Sequence, residues 1–66
     1  MKTLQRGKDY IALEGFVKRE SAMAILADVE GKNVWLPKSQ LEDWPDVGDE
    51  GEILIPEWLA MEKRLI

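Results

Sequence analysis

A chain of 66 residues has room for one domain with one core, and its lack of Cys and His excludes disulfides, thiolate metal sites, the commonest zinc ligand and the commonest general base. The net charge of −4 is unevenly spread: residues 1–41 hold seven Lys/Arg against five Asp/Glu, residues 42–66 hold two against eight, and no basic residue lies between Ser39 and Glu62. An acidic half of this kind repels nucleic-acid phosphates and suits a basic partner, or it serves only to keep a small protein soluble.

The first ten residues, MKTLQRGKDY, contain no apolar run, and AMAILA further on is far too short to span a bilayer. The expectation is a cytoplasmic protein. Residues 1–8 read as a flexible N-terminal arm or the lead-in to a first strand. From Tyr10 to Arg19, Ile11, Leu13 and Val17 share one parity, the period-two pattern of a strand with one apolar face. Gly15 within it predicts a bulge or sharp bend. Residues 22–29 and 33–37 predict a hairpin around Glu30-Gly31-Lys32-Asn33, ended by Pro37, which has no N–H for a ladder. Ser39 and Glu42 have capping-box spacing, so one turn of helix is expected over 39–43, then a loop punctuated by Pro45 and Gly48.

Residues 50–55, EGEILI, predict a further strand with Ile53 and Ile55 on one face. Pro56 stops it and suits the first turn of a helix over 56–66. In that helix Trp58, Met61 and Leu65 form one stripe, and Lys63 and Arg64 sit late enough to complement the dipole. Four to five short meandering strands bury a core by curling into a small barrel. The expected architecture is therefore mainly β: one domain, with an OB- or SH3-like barrel over 9–55 and a short C-terminal helix over an end or an open edge.

Three segments resemble the OB-type barrel repeat of RNA-binding ribosomal and exonuclease proteins: EGFV at 14–17, GKNVWLPKSQL at 31–41 and VGDEGEILI at 47–55. The resemblance implies an OB barrel that holds nucleic acid. That family closes its barrel with a fifth strand, where this chain has a proline and a helical pattern. WLPKSQ followed by IPEWLA, between Trp35 and Ala60, resembles a group of small phage and prophage proteins. This second resemblance implies a binder, such as a recombination accessory or an inhibitor of a host enzyme or defence.

Two candidate surfaces follow. Phe16 and Trp35 could supply stacking faces, with Lys18, Arg19 and Lys38 supplying charge, as OB folds hold single-stranded DNA or RNA. The competing reading places both aromatics in the core, the commoner home for large side chains in so small a domain. Alternatively Trp44, in a loop between Asp43 and Pro45, anchors a protein partner together with Trp35 and the acids Glu42, Asp43, Asp46 and Asp49. Those acids otherwise form a solvated face; DVGDEGE lacks the ligand spacing of a calcium loop. Trp58 is expected to dock the terminal helix on the barrel. Ser21 and Ser39 have no histidine to activate them, and no phosphate-cradling glycine loop occurs. The reading is a non-enzymatic module without cofactor or metal. Its first expected partner is a protein, as for a phage- or prophage-type accessory or inhibitor; single-stranded nucleic acid is the alternative, and self-association through an open strand edge is a third expectation.

Overall fold

A computed structural model describes residues 2–5 and 9–66. Five antiparallel strands form one sheet: β1 (Lys2–Gln5), β2 (Asp9–Glu20), β3 (Ala24–Val29), β4 (Lys32–Pro37) and β5 (Glu50–Pro56), followed by helix α1 (Glu57–Glu62). Of the arm expected at 1–8, residues 2–5 are β1, and residues 1 and 6–8 lie outside the described residues. β2 is the spine. Its first residues pair with β1, residues 10–16 pair with β5, and residues 16–20 pair with β3, which in turn pairs with β4. The order β5-β2-β3-β4 places three hairpin-linked strands side by side and returns the fourth beside the first, which is a Greek key.

The expected barrel is not closed. Among the described residues no ladder joins β4 to β5 or to β1. The cause is local: Pro56 ends β5 and, at φ −60, is the N-cap residue of α1, so the chain turns into a helix instead of supplying a closing strand. Among the described residues, the edge of β5 away from β2 is met by the connection after β4, where Glu42 N–H donates to Leu54 C=O (2.9 Å) and Leu54 N–H to Asp43 C=O (2.9 Å). The core is aliphatic. Ile11, Leu13 and Val17 from β2 meet Ile25, Ala27 and Val29 from β3, Leu36, Leu41, Ile53 and Ile55, with Leu59 and Ala60 of α1 in the same cluster.

Gly15 is buried in this face, but the bulge lies elsewhere, between Val17 and Arg19. Gly15 instead permits close approach. A Cβ there would sit 2.8 Å from Ile53 Cδ1, 3.2 Å from Val29 Cγ2 and 3.3 Å from the Asp28 carbonyl. β3 starts at Ala24 rather than Ala22, because the Ser21 hydroxyl accepts hydrogen bonds from the N–H groups of Met23 (3.3 Å) and Ala24 (3.0 Å). The β3–β4 hairpin turns on two residues, Glu30 (φ 53) and Gly31 (φ 83), both left-handed, as a type I′ turn demands. The Asp28 carboxylate braces it by accepting Gly31 N–H at 2.9 Å.

The turn expected at 39–43 is a 3-10 helix over Lys38–Gln40 with Pro37 at its N-cap, so Ser39 lies inside the turn and the capping box does not form. Helix α1 is shorter than the expected 56–66. Arg64 (φ 61) adopts the left-handed conformation, Leu65 N–H reaches back to Ala60 C=O (2.8 Å), and Arg64 N–H to Met61 C=O (3.0 Å). These two bonds make a Schellman motif, and it returns Leu65 to the core. Lys63 and Arg64 thus lie beyond the last turn. The cation at the helix C-terminus comes instead from the hairpin, where Lys32 Nζ donates to Arg64 C=O at 2.9 Å.

Two substitutions test this framework. Glu30→Asn relieves a left-handed glutamate and should stabilise by about 0.5–1 kcal/mol, a rise of about 2–8 °C in the melting midpoint for a domain of this size. Gly15→Val should cost about 1–3 kcal/mol by overpacking against buried neighbours, read as a lowered midpoint in thermal or urea unfolding.

Candidate binding surface

The register across β2, β3 and β4 decides which side chains share the outer face. Opposed residues lie on the same side of a sheet, so Phe16, Asp28 and Asn33 form one row, and Arg19, Leu26 and Trp35 form the next. Residues of the other parity, Val17, Ala27, Ile25 and Leu36, are buried. Phe16 is 39% exposed and Trp35 48%, so both aromatics lie on the outer face rather than in the core. Their positions are two strands and two residues apart, roughly 12 Å from strand spacing and rise.

The bulge at Val17/Arg19 is what turns Arg19 outward, to the side that Lys18 takes by parity with Phe16. An uninterrupted ladder would set Arg19 opposite Ile25, facing the core. Lys18 is instead the extra residue, and Arg19 pairs with Leu26 on the outer face. Lys18 Nζ reaches over the sheet to donate to Asn33 Oδ1 at 3.2 Å. Lys38 follows β4 but is neutralised by Glu20 at 2.9 Å, its side chain only 22% exposed. Phe16, Lys18, Arg19 and Trp35 therefore share one surface, with Lys38 paired at its margin. Leu26, Asn33 and the acid Asp28 belong to the same surface and were not singled out from the sequence. The turn at Glu30-Gly31 contains the signal, since counting back from it pairs 28 with 33 and 26 with 35.

The second set of candidates does not converge. Trp44 is half-buried against the core, and its backbone N–H donates to the Asp43 carboxylate at 2.9 Å. Glu42, Asp43, Asp46 and Asp49 are exposed along the connection leading to β5. Trp35 belongs to β4, at the other end of the strand order. The acids continue on the outer face of β2 and β5, where Glu14 opposes Glu52 and Phe16 opposes Glu50. No group of three or more acidic residues among the described residues is arranged to hold a metal ion.

Trp58 corrects the expectation of a docked tryptophan: it is 55% exposed, beside Met61 at 60%. A helix of six residues buries one narrow stripe, here Leu59 and Ala60, and both flanks of that stripe face outward. No helix among the described residues is long and apolar enough to cross a membrane. No protein-family model, curated protein or solved structure matches the chain.

The outward placement has a direct consequence for stability. Trp35→Ala and Phe16→Ala should each change unfolding free energy by less than about 1 kcal/mol, while Leu36→Ala, one residue along β4, should cost about 2–5 kcal/mol. Urea unfolding of the three variants checks the difference, and a core-sized loss for Trp35→Ala would place that ring inside.

Proposed function

We propose that this protein is a non-enzymatic OB-type module that binds single-stranded nucleic acid on the outer face of β2, β3 and β4. The observation that carries the reading is the exposure of Phe16 and Trp35 on one face, with Lys18 on the same side by parity and Arg19 turned to it by a bulge. Counting β2 as the first barrel strand, β3 and β4 take the places of strands 2 and 3, whose outer face is where OB folds hold oligonucleotides. The Greek-key order supports the same assignment.

The charges bound the mechanism. Two available cations and a net charge of −4 leave little for phosphate attraction, so affinity rests on stacking, at about 1–3 kcal/mol per base. With about two phosphate contacts, the logarithm of the binding constant should fall with the logarithm of salt at a slope near −1.4. Titrating tryptophan fluorescence with short single-stranded DNA and RNA at low salt should give quenching that Trp35→Ala removes and Phe16→Ala weakens by about 5- to 150-fold. No response at low salt, or undiminished binding by the double variant, would sink the reading.

A protein partner is the second reading, in line with the resemblance to phage and prophage accessory and inhibitor proteins. The exposed pair Trp58 and Met61 on α1 favours it, beside an acidic connection suited to a basic surface.

A further inference from the structure

The outer edges of β4 and β5 are treated differently by the fold. On β5, Leu54 exchanges hydrogen bonds with Glu42 and Asp43, and Pro45 lies against Gly51. On β4, among the described residues, no backbone hydrogen bond beyond the β3 ladder involves Asn33 or Trp35. The hairpin identifies these as the edge groups. The pair closing a two-residue turn, here Val29 with Lys32, exchanges both its hydrogen bonds, and bonding then alternates along the ladder. Residues 34 and 36 therefore bond to β3, and the N–H and C=O groups of Asn33 and Trp35 point away from it. Soluble proteins normally blunt such an edge with charge, proline or a bulge. β4 has Lys32 and Pro37 only at its ends, and the four residues between them are uncharged and regular.

We propose that β4 pairs with β4 of a second copy, antiparallel about a two-fold axis at Val34, to form a homodimer with one continuous sheet. In this register Asn33 of each copy opposes Trp35 of the other, and all four edge groups of each strand are satisfied. Val34, packed against the core but only partly buried, meets its twin across the axis and extends both cores.

Charge selects the same face. Residues 31–41 contain no Asp or Glu, whereas residues 42–62 contain all eight acids of the acidic half. Pairing through β4 joins the copies on their least negative side and sets the β5 strands at the far ends of the joined sheet. The same register carries each copy's Glu30 towards the other's Lys38. Because the axis is perpendicular to the sheet, both outer faces lie on one side, with the two copies of Trp35 near the seam.

Sedimentation equilibrium of the protein without nucleic acid, from about 1 μM to about 1 mM, tests this across the affinity range of a small interface. The expected result is a concentration-dependent rise from the chain mass of 7.6 kDa to twice that value. Asn33→Pro deletes an outward N–H and leaves the β3 ladder intact. It should weaken dimerisation at least about tenfold, since two hydrogen bonds are lost per dimer. Hydrogen exchange on the unaltered protein gives a second readout that does not depend on the variant folding. The amides of Asn33 and Trp35 should exchange more slowly as concentration rises. A monomer at every concentration, or a dimer in which those two amides gain no protection, overturns the proposal.

Discussion

The geometry of this small domain depends on the two-sided hydrogen bonding of β2. Residues 10–16 bond to β5 along one edge while residues 16–20 bond to β3 along the other. One strand therefore sets the register of both halves of the sheet. The period-two alternation then leaves no freedom. With Ile11, Leu13, Gly15 and Val17 turned to the core, Glu14 and Phe16 must face outward. Gly15 is the tightest point of that arrangement, because Ile53, Val29 and the Asp28 backbone converge on the space a side chain would need. Any larger residue would push β5 and β3 away from β2 together.

Electrostatics follow from the same topology. A chain whose acids are concentrated late in sequence becomes a molecule with an acidic end because the last strand returns beside β2 and not beside β4. Glu14 opposite Glu52 is a like-charge pair that costs stability and that no packing need explains. The β3–β4 hairpin, by contrast, is tied to the helix end by Lys32, and Lys38 is held by Glu20. Lys18 and Arg19 are the cations the candidate surface can offer, and the bulge sets the direction of Arg19.

Much of the sheet was legible in the residues. The hairpin could be read because Glu30-Gly31 lies between two apolar alternations, and β5 because Ile53 and Ile55 are bounded by Gly48 and Pro56. The misreadings have physical causes. A buried strand glycine signals either a bulge or a close approach, and sequence alone does not separate the two; here the bulge fell at Lys18. The length of α1 was missed because Arg64, a residue that rarely takes positive φ, closes the helix where glycine would have announced the end. Barrel closure failed as an expectation because a strand's two edges are equivalent in sequence. Whether β4 finds a partner depends on where the chain goes after Pro56.

The tryptophans reverse the usual expectation, and the core explains why. Among the described residues every buried hydrophobic side chain is aliphatic: Ile, Leu, Val and Ala fill the interior, and no polar or charged residue is buried with them. Among the described residues, the core is completed by aliphatic side chains without an indole in its interior. Trp35 and Trp58 lie outside this core, and Trp44 packs against its periphery. An exposed aromatic ring adds nothing to solubility and increases the risk of aggregation. Three of them, Phe16, Trp35 and Trp58, on a marginal 66-residue domain are therefore better explained by contact with something else than by the fold. Trp35 lies on the outer face of β4, whereas Trp58 lies on α1, whose Leu59 and Ala60 pack into the core beneath the other face.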